Sequence, residues 1–173
     1  FFERKEIKDT LSYIRAALNP GSISDIKRII NVPARGIGKV TVDKVLAGKE
    51  GELSATAQKK VSEFRNILVH IKEETKKINA SELIKYTIKI SGIENELEKS
   101  KNEEDAERLE NIKELVTLAL SYDNYGPEEG IDRLLTDAAL ATDEEGDDSK
   151  KEPAIRLMTA HAAKGLEFDY VFI

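Results

Sequence analysis

The chain has 173 residues, enough for one compact domain, and its 40% hydrophobic, 35% charged and 6% aromatic content, without Trp, argues against a strand-dominated fold. Cysteine is absent, which removes disulfides, thiolate metal sites and cysteine nucleophiles and is compatible with a cytoplasmic location. The formal charge of −6 is uneven: residues 1–50 hold ten Lys/Arg against six Asp/Glu, whereas residues 101–150 hold five against sixteen, so overall acidity does not exclude a nucleic-acid partner for the basic end.

Along the chain, Ile7, Leu11, Ile14 and Leu18 recur at helical spacing and predict an amphipathic helix over 5–18, stopped by Asn19-Pro20-Gly21-Ser22. Ser22 and Asp25 are placed to cap a short helix over 23–30, and Thr41 to cap another from Val42 to about Ala47. Val61, Phe64, Leu68, Ile71 and Ile78 predict a long helix over 55–78, with Lys and Glu on its other face. Asn79 and Glu82 form a capping-box pattern for a helix that ends at Ser91-Gly92. A short helix over 93–99 follows, then one over 103–121 with Leu109, Ile112, Val116 and Leu120 on its apolar stripe. Gly126-Pro127 opens a last helix on Ile131, Leu134, Leu135 and Ala138.

From Ala141 to Lys151 the composition is polar and acidic and predicts a mobile linker. Residues 154–158 and 169–173 predict short buried strands on either side of a Gly-containing turn. These strands need a sheet, and the rest of the chain offers none. With its start at Phe1 and its stop inside Tyr170-Val171-Phe172-Ile173, the chain reads as an excised piece. The expected fold is a mainly α helical bundle with two short terminal strands belonging to a truncated α/β domain. The longest apolar runs are far below the roughly 20 residues that cross a bilayer, so no membrane partner is expected.

Between the second and third predicted helices lies Pro33-Ala34-Arg35-Gly36-Ile37-Gly38-Lys39, the pattern of a helix-hairpin-helix element. Two glycines permit positive φ and leave no Cβ in the way, so consecutive amide N–H groups are free to meet one phosphate. Ile37 plugs the gap between the flanking helices, the helix start near Thr41 adds its dipole, and Arg35, Lys39 and Lys44 supply positive charge. Such a site reads the nucleic-acid backbone and not the bases. The plain alternative is a tight turn between packed helices. A nucleotide phosphate loop is excluded, because Pro33 stands where its first Gly is needed and Val40 where its Ser or Thr is needed; the dinucleotide pattern fails at Thr41.

Near the end of the chain, Thr159, His161, Lys164 and Glu167 fall on the connection between the two predicted strands, a place where α/β domains hold ligands. The run Thr159-x-His161-x-Ala163-Lys164-Gly165-Leu166-Glu167-Phe168 resembles motif V of the superfamily 1 DNA helicases of the UvrD/PcrA/Rep type. Phe1-Phe2-Glu3-Arg4-Lys5-Glu6-Ile7-Lys8-Asp9, the Val32–Gly38 turn and Leu109–Val116 match the same family in the same order, end to end. Ala160 departs mildly from the larger aliphatic residues common there.

The resemblance implies that residues 20–152 form the helical 2B subdomain and that 1–19 and 153–173 are stubs of the RecA-like 2A domain, with hinges at the two boundaries. It implies duplex contact at the fork through Arg35, Gly36, Ile37, Gly38, Lys39, Thr41 and Lys44, and regulation of unwinding in DNA repair or replication, with 3'-5' polarity. Thr159 and His161 would face single-stranded DNA, and Lys164, Gly165 and Glu167 would approach the nucleotide. ATP and Mg²⁺ would serve the full-length parent, with no cofactor in the fragment. The partners implied are DNA, domains 1A, 1B and 2A, and repair proteins. Without a phosphate loop the isolated piece is not expected to be an enzyme.

His70, beside Val69 and Ile71, lacks a second ligand and reads as a packing or surface residue, and pairs such as Glu73-Glu74 read as solvated charge. Two other readings stay open: a protein-docking or autoinhibitory module without DNA contact, and the inserted domain of a related recombination helicase-nuclease, against which the intact glycine hairpin argues.

Overall fold

The computed structural model describes residues 1–100 and 102–146. Over these residues the chain forms α1 (Lys5–Leu18), α2 (Ile23–Ile29), α3 (Lys39–Leu46), α4 (Ala55–Glu74), α5 (Ala80–Ser91), α6 (Ile93–Lys99), α7 (Glu103–Ala119) and α8 (Pro127–Gly146), with 3₁₀ turns at Glu50–Glu52 and Leu120–Tyr125. Among the described residues there is no strand, which corrects the expected mainly α fold with two terminal strands to an all-helical one. The apolar period is helical throughout this part, and it supplies no sheet edge for a strand to join. The segments 154–158 and 169–173, expected as strands, lie outside the described residues.

α1 is the axis of the bundle and packs on α2, α4, α5 and α7. Its apolar stripe of Ile7, Leu11 and Ile14 is buried as the spacing predicts, and Tyr13, Ala16 and Ala17 are buried as well, while Leu18 is exposed. Full burial of one such Ile or Leu side chain contributes about 1.5–3 kcal/mol. Polar residues on the remaining sides of α1 are buried with partners. Arg28 Nε of α2 donates to Asp9 Oδ1 at 2.6 Å, Asn111 Nδ2 of α7 donates to Glu6 Oε1 at 2.7 Å, and Thr10 Oγ1 donates to Glu6 O at 2.8 Å. Burial raises the Asp9 carboxyl above its ordinary value, and Arg28 partly offsets this. The turn at 19–22 therefore joins two helices that pack on each other, with Ser22 N donating to Asn19 O and Gly21 N to Asn19 Oδ1.

α4 buries Val61, Phe64, Leu68 and Ile71, and ends at Glu74, four residues before the expected end. Its Ser54 cap accepts from Ala57 N. At α5 the expected capping box is replaced. Asn79 makes no side-chain cap, and Asp123, from the 3₁₀ turn before α8, accepts instead from Ser81 N at 3.0 Å and Ser81 Oγ at 2.6 Å. Gly92, with φ 89°, ends α5 in the left-handed conformation as the sequence predicts. On α7 the buried stripe is Ile112, Leu115 and Ala119, rotated from the predicted one, so that Leu120 is exposed. α8 buries Ile131, Leu134 and Ala138 and continues helically to Gly146, so residues 141–146 are not the linker that their composition suggests.

Candidate nucleic-acid interface

α2 and α3 are joined by the turn over residues 30–38, in which the Val32–Pro33 peptide is cis. Asn31 organises it from within: its Oδ1 accepts from Arg35 N at 2.7 Å and from Ile37 N at 3.3 Å. These two amides point inward, so the run of consecutive outward amides expected around Ile37 is interrupted at 35 and 37. Ile37 is 4% exposed and plugs the turn into the core, as its position predicts.

The two glycines do different work. Gly36 has φ 64°, a left-handed conformation that strains other L-residues. Gly38 has φ −72° and ψ 163°, ordinary extended backbone, and a Cβ built there meets nothing within 4 Å. Internal sterics therefore do not require glycine at 38. Gly38 is also the N-cap of α3, which starts at Lys39 and places Thr41 inside the first turn, not at the cap. No side chain caps this helix, and its first turn holds no acidic residue. The first amides of an α-helix have no intrahelical acceptor, so those of Lys39, Val40 and Thr41 are open to an external anion. Gly38, Lys39 and Val40 are all exposed.

The basic residues nominated from sequence separate into three situations. Lys39 is exposed beside the helix start. Lys44 is turned to the neighbouring 3₁₀ turn, where Nζ donates to Glu52 O at 3.1 Å and lies 3.7 Å from Glu52 Oε2. Arg35 folds inward. Its Nη1 donates to Ile29 O at 3.3 Å and Pro33 O at 3.1 Å, and its Nη2 donates to Ser91 O at 2.8 Å and Tyr13 Oη at 2.6 Å. The guanidinium carbon lies 5.8 Å from the Tyr13 ring centre and 5.6 Å from that of Phe64. Ile29 and Ser91 end α2 and α5, so Arg35 sits at two helix C-termini, where the dipole favours a cation. It joins the turn to α1, α4 and α5 and supports the open face from behind.

Tyr13 Oη in turn donates to Val32 O at 2.5 Å. Burial pushes this hydroxyl up to about 12, with Arg35 acting in the opposite direction. Above the model-compound value of 10.0 the unfolded chain releases this proton while the folded chain keeps it, so ionisation favours unfolding. Stability is therefore expected to fall between pH 10 and about 12, by up to about 1.4 kcal/mol per pH unit from this group. Urea titrations at pH 9 and pH 11 check it, and a Tyr13→Phe chain should lose this part of the dependence.

Sequence reasoning did not single out Asn31, Tyr13 or Lys60, and it placed Phe64 on the apolar stripe of α4 without connecting it to the turn. Asn31 had a local signal, an amide side chain four residues before Arg35 at the head of a Pro-containing turn. The other three reach the turn from α1 and α4, and no local pattern announces that contact. Lys60 Nζ donates to Gly36 O at 3.0 Å. Thr159, His161, Lys164, Gly165 and Glu167 lie outside the described residues. Among the described residues no group of three or more His, Asp or Glu could hold a metal ion, and the sequence has no phosphate loop. Exposed His70 has no metal-ligand companions there. Among the described residues no helix is long and apolar enough to cross a membrane.

The geometry is that of a helical hairpin whose glycine turn is held from within and opens onto an uncapped helix start. The chain belongs to the UvrD-like helicase C-terminal domain family, which it matches over residues 1–173. It is 34% identical over 190 residues to an ATP-dependent DNA helicase PcrA of Staphylococcus epidermidis, with 100% of this chain and 26% of the relative covered. The PcrA of Staphylococcus aureus strain Mu50 is similar to the same extent. The chain thus spans about a quarter of the length of these relatives.

Proposed function

We propose that this chain is the duplex-contacting and regulatory part of an ATP-dependent DNA helicase with 3'-5' polarity, acting in DNA repair or replication in the cytoplasm. Residues 20–152 correspond to the 2B subdomain, and 1–19 and 153–173 connect it to 2A. α1 is buried among α2, α4, α5 and α7, so the N-terminal stub packs closely on the 2B helices. The observation that carries the reading is the start of α3, with open amides, an N-cap whose missing side chain serves no internal purpose, and Lys39 beside it. A backbone phosphate fits this charge and these donors without any base contact. Gly36, Gly38, Lys39 and Thr41 frame that contact, with Ile37 and Arg35 holding the turn and Lys44 at its edge. By motif position, Thr159 and His161 face single-stranded DNA, and Lys164, Gly165 and Glu167 approach ATP and its Mg²⁺ once domains 1A and 1B complete the parent. Repair proteins are the further partners of this reading.

Gly38→Asp tests it with effects of opposite sign. An Asp N-cap satisfies an open amide and complements the helix dipole, so folding stability should be unchanged or a few tenths of a kcal/mol higher. The same carboxylate occupies the anion position, so affinity for a forked duplex should fall at least tenfold, and Lys39→Glu should act in the same direction. The readouts are thermal melts and fluorescence-anisotropy titrations across a salt series. In the parent chain log affinity should fall with log salt by about 0.9 per neutralised phosphate. A flat salt response, unaltered by either substitution, would instead indicate a protein-docking module.

A further inference from the structure

The first turns of α4 run past the glycine turn, and one side chain there reaches it. Lys60 Nζ lies on the Gly36 carbonyl at 3.0 Å, across 24 positions of sequence. A Cβ on Gly36 would come within 2.8 Å of that Nζ. The glycine therefore does two things: it takes the left-handed φ, and it leaves the space in which the ammonium sits.

The charge state around this turn makes the position notable. Lys44 meets Glu52, Arg65 meets Glu50, Lys77 just past α4 meets Glu74, and Lys85 and Lys113 each meet a carboxylate on their own helix. Lys60 has no carboxylate within ion-pair distance among the described residues, and one carbonyl occupies only one of its three N–H donors. Its half-buried side chain is already held in place, so much of the conformational cost of ordering a lysine on a ligand is met before binding. Lys39, at the start of α3 on the same turn, is exposed and has no carboxylate partner among the described residues, and the neighbouring Gly36 and Gly38 are exposed and carry no side chain.

We propose that Lys60 is a phosphate-binding residue of the duplex site, the second cation of a pair that faces Lys39 across the Gly36–Gly38 turn. The pair would take neighbouring phosphates of one nucleic-acid strand, with Lys60 held in register by the Gly36 carbonyl. This rests on the duplex reading above, and the experiment separates the two.

Forked-duplex titrations of the 173-residue chain over 50–200 mM KCl should be compared for the parent, Lys60→Gln, Lys60→Arg, Lys39→Gln and Lys72→Gln. Lys72 is exposed near the other end of α4, about 18 Å along the helix at 1.5 Å per residue. Lys60→Gln is expected to weaken binding about 3–10-fold at the low-salt end and to reduce the salt slope by about 0.9, as loss of one phosphate contact requires. Lys60→Arg should keep the slope, Lys72→Gln should match the parent, and melts should show all five chains folded. The proposal is overturned if Lys39→Gln lowers the slope and Lys60→Gln does not, even if affinity drops, because Lys60 then only braces the turn. If neither substitution moves the slope, the duplex reading falls and this one falls with it.

Discussion

Replacing Arg35 with Met is expected to destabilise the chain by about 3–5 kcal/mol, the largest effect of any exchange in the turn. The guanidinium serves three main-chain carbonyls and the Tyr13 hydroxyl, on α1, the ends of α2 and α5, and the turn itself. A hydrogen bond from a charged group contributes about 1.5–3 kcal/mol, and each acceptor left buried and unpaired costs about 1–3 kcal/mol. Desolvation of the guanidinium and some access of water to the vacated carbonyls reduce the sum, which places the net below the plain total. Lys at 35 should recover less than half, because an ammonium cannot reproduce the planar fork that reaches carbonyls from separate helices. Thermal melts decide the matter. For a chain of this length 1 kcal/mol corresponds to about 2–4 °C, so Arg35→Met should lower the midpoint by roughly 6–20 °C. A shift below about 2 °C would mean that the brace does not hold the turn. A duplex titration adds an independent readout: if Arg35 acts from behind the turn, a folded Arg35→Lys chain should bind less tightly with an unchanged salt slope.

The second large effect is expected at Gly130, in the second turn of α8. A Cβ there would lie 2.5 Å from the Tyr122 carbonyl oxygen, 3.4 Å from its carbon and 3.8 Å from Ala80 Cβ. Helix propensity alone predicts that Gly130→Ala stabilises by about 1 kcal/mol. The clash is with backbone and not with the free end of a side chain, so α8 must move away from the 3₁₀ turn over 120–125. Overpacking of this kind costs about 1–3 kcal/mol, and here the shift also disturbs Asp123, which caps the start of α5. The expected net result is a loss of about 1–2 kcal/mol despite the better helix former. Gly51→Ala is the comparison, since a Cβ at Gly51 meets nothing within 4 Å. Urea unfolding of both variants checks the sign, and a more stable Gly130→Ala chain would remove the argument for close approach.

These two residues show where sequence reasoning stops. Arg35 beside a glycine turn reads as a ligand for phosphate, because charge near an open turn is the usual way to hold an anion. Its actual partners are carbonyls contributed by residues as far away as Ser91, and no local pattern encodes them. Gly130 lies inside a clear helical stripe, where a lone glycine reads as a small defect, and only the crossing with Tyr122 gives it a purpose. The same holds at α5, whose capping residue came from Asp123 and not from the adjacent Asn79. On α7 the period was right and the phase was not: Leu115 and Ala119 are buried while Leu120 faces solvent.

The amino-acid order alone determined the helical character, the stopping points at Asn19 and Gly92, the faces of α4 and α8, and the place of the glycine turn. Each follows from spacing and from the backbone preferences of single residues, which act within a turn or two of helix. Tertiary structure alone decided that α1 is a buried axis and not a surface helix, that Arg35 turns inward, and that Lys60 reaches Gly36. Those outcomes depend on which surfaces meet across tens of residues, where polar groups such as Arg35 and Asp9 find partners that neither sequence neighbourhood specifies.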